Sequence, residues 1–176
     1  MEAPKGRDNP RAGQSPIEKV SGQSMHAEEI RAALSGIMVA HHFVEAGHFD
    51  LDSPLPAVNA FVQQCGFKPL ADGWQAIDAA GARRILVNIL HRDMAYSIER
   101  MPPEDAARIA DAVLHDAVAV PARFYTNGSY DKQPETLSDR VTCGPSWNPI
   151  TDATFDSGVV FVTACKIGLL WIEDED

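Results

Sequence analysis

Apolar residues recur along this chain first at helical and then at extended spacing. Ser24 is placed to cap a helix whose positive end meets Glu28 and Glu29, and Ile30, Leu34, Ile37, His41 and Val44 follow a period of three to four residues up to Gly47. The pattern predicts one long amphipathic helix with a stripe that another element must cover. A second helix is predicted with Ser53 as cap and Pro54 in its first turn. Leu55, Val58, Phe61, Val62 and Cys65 run along one side of it, and Gly66 closes it. The short polar link between the two helices predicts an antiparallel pair.

From Asp72 to Ala80 a short helix is expected, because Trp74, Ile77 and Asp78 are followed by Gly81. Two extended runs come next, Arg84 to Leu90 and Met94 to Arg100, separated by the polar His91, Arg92 and Asp93, and they predict a hairpin. Pro102 and Pro103 then precede Glu104 and Asp105, which suit the first turn of a helix carrying Ala106, Ile109, Ala110, Val113 and Ala117 as its stripe. After Pro121 the chain turns loop-rich, and residues 131–154 hold Pro134, Gly144, Pro145 and Pro149, which argue against a regular element. Val159 to Cys165 and Leu169 to Ile172 predict a closing hairpin, the first run apolar enough for a central strand. The expected architecture is α+β: at least three helices packed on a predominantly antiparallel sheet, with a C-terminal β-hairpin.

Composition narrows this picture. Residues 1–24 are rich in Pro, Gly, Ser and charge, with Ile17 and Val20 as their large aliphatics, so they bury too little to offset the entropy of ordering. They are expected to form a flexible leader before a single domain spanning 25–176, at 176 residues a chain of ordinary one-domain length. No run approaches the roughly 18 apolar residues of a membrane helix, and no secretory signal is visible, so a cytoplasmic protein without a membrane partner is expected. Three cysteines, Cys65, Cys143 and Cys165, are too few for a disulfide scaffold.

The chain holds 25 acidic against 15 basic residues, a net charge of −10. Four of the basic and three of the acidic residues fall in 1–25, which leaves −11 on the remainder. Such a balance is poorly matched to a phosphate backbone, so no nucleic-acid partner is expected, whereas a basic protein surface or a metal cation fits the sign. Neither a phosphate-binding loop nor a dinucleotide fingerprint is present, and no cofactor is expected.

Three groups of residues carry candidate chemistry. His41, Glu45 and His48 follow offsets of four and seven and would share a face if the first helix continued through them, giving a small shell for a divalent cation. Cys143 sits among Thr142, Gly144 and Pro145, where His91 and Asp93 would serve it as base and orienting carboxylate if folding joined them. Trp147, Asp152, Asp156, Trp171 and Glu173 combine aromatic area with carboxylates in the manner of a protein-binding surface. The reading drawn from these is an acidic protein-interaction module, an inhibitor or accessory subunit for a basic partner. A metal-dependent hydrolase built on the His and Glu cluster, and a small-molecule binding domain with its pocket under residues 131–154, stand as alternatives.

Overall fold

The computed structural model describes residues 27–35, 37, 39–129 and 147–175. In chain order the elements are α1 (Ala27–Leu34), β1 (Val39–Ala46), α2 (Leu55–Gln64), a 3-10 turn (Ala71–Gly73), β2 (Gln75–Ile77), α3 (Ala79–His91), α4 (Pro103–Val118), β3 (Ala122–Thr126), β4 (Phe155–Thr163) and β5 (Lys166–Asp174). The strands form one sheet in the order β1-β5-β4-β3-β2, every neighbouring pair antiparallel. The α+β class and the closing hairpin are as the sequence predicts. Among the described residues no helix is long and apolar enough to cross a membrane.

Apolar residues on both faces of β4 and β5 put these strands in the middle of the sheet. Alternate side chains of a strand point to opposite faces, and here each set finds a separate core. Val159, Phe161, Leu170 and Ile172 pack under α1, α3 and α4 with Leu34, Ile85, Leu86, Ile109 and Leu114. Val160, Val162, Ile167, Leu169 and Trp171 face α2 and the segments around it, meeting Val58, Phe61, Val62, Trp74 and Ile150.

Two glycines in the central hairpin make room for large rings across the strand pair. Gly158 is paired with Trp171, and a Cβ there would stand 2.2 Å from the Leu170 carbonyl oxygen and 2.5 Å from the indole. Gly168 is paired with Phe161, whose ring would lie 2.5 Å from an added Cβ. Each ring lies over a residue without a side chain, one on each face of the sheet, and this lets both cores reach the backbone.

Several local expectations are overturned. The predicted long first helix ends at Leu34; Ile37 is buried in the connection, and His41 and Val44 lie in β1. Strand β1 separates the two helices that were expected to pair, and they lie on opposite faces of the sheet. Asp78 opens a helix rather than closing one, since its carboxylate accepts the Gly81 N–H at 2.6 Å as the N-cap of α3. The run Arg84 to Leu90, expected as a strand, is the middle of α3, with Ile85, Leu86, Ile89 and Leu90 recurring along its buried side. Met94 to Arg100 is an irregular loop held by one bridge, Arg92 to Glu99. The helices beginning at Leu55 and Pro103 stand near their expected places, and Gly66 adopts φ +90° just after the first of them. The leader expected over 1–24 and its cap Ser24 lie outside the described residues.

Candidate functional site

One end of the sheet carries the two most exposed large hydrophobic side chains among the described residues. The end of β5, the starts of β1, β2 and β4 and the end of β3 all lie there, as the antiparallel registers require. Beside it runs the loop from His91 to Met101, whose conformation is fixed many times over. The Asp93 carboxylate accepts the amides of Tyr96 at 2.5 Å and Ile98 at 3.0 Å. Arg92 donates to the Ser97 carbonyl at 2.8 Å, and the Arg100 amide donates to the His91 carbonyl at 2.8 Å. Ser97 takes a left-handed φ of +60° to close the turn.

The loop is tied to the sheet through a mostly buried ion pair. The Arg100 guanidinium donates to Asp174 and to the Ile89 carbonyl, and the second oxygen of Asp174 accepts the Met94 amide at 2.8 Å. Burial pulls the Arg100 pKa below its ordinary value, while the nearby Asp93 carboxylate acts in the opposite sense. Despite this anchoring, the tip leaves Tyr96 66% and Ile98 63% exposed, the most exposed large hydrophobic side chains among the described residues. A rigid loop that holds a tyrosine and an isoleucine in water has the form of a contact element.

The five residues expected to bind a protein divide between surface and support. Trp147 is half-buried and lies 5.5 Å from the Phe155 ring; Phe155 in turn pairs with Asp174 across the hairpin. Asp152 is exposed, and Glu173 is half-buried with its carboxylate 2.7 Å from His41 Nε2. Glu99 and Glu175 add exposed carboxylates at the same end. Asp156 and Trp171, by contrast, are fully buried, so neither is presented to a partner.

Asp156 has an internal task. Its carboxylate accepts the amides of Ile150 at 2.7 Å and Thr151 at 2.9 Å and the Asn127 side chain at 2.9 Å, pinning the 147–151 segment to β4. Burial pushes its pKa up, against the backbone and side-chain donors that draw it down. Trp171 Nε1 lies close enough to favour the charged carboxylate, yet makes no hydrogen bond. A hydrophobic ring in the centre of a sheet and a carboxylate enclosed by amides are supports for the surface.

The metal-site expectation rested on a helix that is not there. In β1 the spacing is about 3.3 Å per residue, so His41 and Glu45 share a face but stand roughly 13 Å apart along the strand. His48 lies beyond the strand, exposed. Among the described residues no three His, Cys, Asp or Glu side chains converge as a metal shell would require. His91 and Asp93 are likewise committed locally: His91 Nδ1 meets the Met101 carbonyl at 2.7 Å, its Nε2 accepts from Arg92 at 3.2 Å, and Asp93 holds the turn. Cys143, the thiol they were expected to serve, and most of the 131–154 segment lie outside the described residues.

A groove of about 430 Å³ opens between α1 and β1, lined by Arg31, Leu34, Ile37, Ala40, His42 and Phe43 among others. Burial and the adjacent Arg31 charge lower the His42 pKa from its ordinary 6.5. The folded state therefore prefers the neutral ring. Stability from this preference is fully present above pH 6.5 and is lost as pH falls through the depressed folded value. Urea unfolding at pH 7.5 and pH 5 is expected to show a larger acid loss in the native chain than in His42→Asn, and equal losses would contradict the linkage.

Tyr96 and Ile98 were read in the sequence as one side of a strand. The signals that mark them as a turn are Asp93, a short acceptor able to bind amides a few residues on, and the break at Pro102 and Pro103. Comparison of the chain with protein families, with curated proteins and with solved structures finds no match in any of the three.

Proposed function

We propose that this chain is a cytoplasmic protein-interaction module that binds a basic protein partner through this end of the sheet, acting as an inhibitor or accessory subunit by occupancy and not by binding nucleic acid. Tyr96 and Ile98 supply the apolar centre of the contact, and Trp147, packed against Phe155 at the same end of the sheet, adds aromatic area. Asp152, Glu173, Glu175 and Glu99 supply the negative field that steers cations of the partner toward it. Asp156 and Trp171 keep a place in this reading as the supports beneath the surface. The observation that carries it is the Arg100–Asp174 anchor, which fixes a loop to the sheet while two large hydrophobic side chains stay in solvent. Ordering such side chains before the encounter removes an entropic cost from association.

The test is capture from the source cells with native mass spectrometry, followed by calorimetry on the identified partner. The double variant Tyr96→Ser/Ile98→Ser is expected to weaken that partner's affinity by roughly a hundredfold with an unchanged circular dichroism spectrum. Asp152→Lys is expected to slow association and flatten its salt dependence. A partner held equally well by the double variant would refute the assignment of this surface.

A further inference from the structure

Strand β1 is an edge of the sheet, and among the described residues no strand pairs with its outer side. The opposite edge, β2, is three residues long, whereas β1 runs for eight with no proline and no lysine to deter pairing. Its inner side is identified by the bonds that continue the ladder: the Gly47 amide donates to the Cys165 carbonyl at 3.0 Å and the Phe49 amide to the Ala164 carbonyl at 3.1 Å. Alternation along the strand then turns the backbone groups of Phe43 and Glu45 toward β5. Those of Ala40, His42, Val44 and Ala46 turn outward.

The side chains of this edge are complementary to themselves. His41, Phe43 and Glu45 lie on the α2 face, where His41 and Phe43 both contact the Phe67 ring. Place a second β1 antiparallel to the first, so that the outward groups of His42 meet those of Val44 on the other copy. Phe43 then falls opposite Phe43 on the two-fold axis, and His41 falls opposite Glu45 on both sides of it. These are the non-hydrogen-bonded positions, where side chains approach most closely. On the other face Val44 of the second copy comes beside His42, at the mouth of the groove under α1. A shift to the next allowed register would set His41 against Phe43 and lose both matches. The chosen register also uses almost the whole strand, with roughly eight new backbone hydrogen bonds. It accounts for the exposure of Phe43 (41%) and Val44 (50%) in the single chain.

We infer that β1 is the self-association edge of this protein, joining two copies antiparallel about Phe43 so that their sheets become one. The partner is a second copy because Phe43 meets Phe43 when the strand meets its own reverse, while His41, held by Glu173 of its own chain at 2.7 Å, comes opposite the exposed Glu45 of the other.

Sedimentation equilibrium of the full chain over a concentration series is the first test, and a reversible dimer is the expected result. Phe43→Lys, which sets like charges on the axis, is expected to weaken the dimer at least tenfold. Val44→Pro removes an outward amide without touching the β5 ladder and should do the same. A register-specific cross-link guards against misfolding of either variant. With Cys65, Cys143 and Cys165 replaced by Ser, Phe43→Cys treated with oxidised glutathione, which takes up the two electrons and two protons as reduced glutathione, is expected to give a disulfide-linked dimer, whereas Ile98→Cys stays monomeric. A chain that remains monomeric throughout the series, or a dimer that neither substitution weakens and Phe43→Cys fails to cross-link, overturns the inference.

Discussion

Truncating Trp171 to alanine is expected to lower the unfolding free energy by about 4 kcal/mol, measured by urea denaturation. The ring is fully buried in the central hairpin, lies against the backbone of Gly158 and meets the Trp74 ring edge-on at 6.2 Å. Since Gly158 has no side chain to move into the void and β5 is held on both sides by β1 and β4, the cavity cannot collapse. The polar atom of the indole makes a separate prediction. Nε1 is buried without a hydrogen-bond partner, so removing it forfeits no hydrogen bond and lifts a desolvation penalty, against which stands only its favourable field on the Asp156 carboxylate. Trp171→Phe should therefore cost only about 1 kcal/mol, because most of the ring volume stays and the unsatisfied group goes. Equal losses in the two variants would mean that the indole N–H, rather than its volume, is what the core needs.

The second large effect is expected at Arg100. Replacing it by methionine leaves Asp174 mostly buried with the Met94 amide as its remaining hydrogen-bond donor, and should cost about 3 kcal/mol. The loss belongs mainly to the stranded carboxylate, so the double variant Arg100→Met/Asp174→Asn should recover a good part of it. The proposed contact surface separates the two variants from the native chain in a different way. Without the guanidinium the Met94 amide is the loop's remaining tie to Asp174, and even the stability-restored double variant should bind the proposed partner more weakly and with a larger entropic penalty. Hydrogen exchange at the Tyr96 and Ile98 amides reads this directly: faster exchange is expected in both variants, and unchanged protection would show that the turn stands without the sheet.

The sequence makes some of this legible and conceals the rest for identifiable reasons. The β4–β5 hairpin reads correctly because both its runs are apolar on either face, as a central strand requires. The helix at Pro103 reads correctly because its proline, its acidic first turn and its alanine stripe agree. His41 and Val44 mislead because they fall by chance on the period set by Ile30, Leu34 and Ile37, and an edge strand half-covered on each face shows no clean alternation to contradict it. Ile85 to Leu90 mislead because a short apolar run fits either period, and the deciding signal, Asp78 with Gly81 three residues on, marks a start that resembles a stop. Composition proposes Trp147, Asp152 and Glu173 for a contact surface, and of these Asp152 is exposed and the other two half-buried. It does not separate them from Asp156 and Trp171, whose burial depends on pairings across the hairpin, and it gives no sign that Arg100 and Asp174 meet.

Strand β5 follows β1 and β4 in the sequence and yet stands between them in the sheet. Strand β1 precedes its neighbour β5 by almost the whole described fold, since Val39 pairs with Glu173. Without β5, the strands β2, β3 and β4 stand on one side of a gap and β1 on the other, with two apolar faces and no sheet that joins them. Loss of the last strand removes the plank that connects the rest. Folding is governed by contacts distant in sequence and is expected to be slow for that reason, with the two apolar faces exposed until β5 docks.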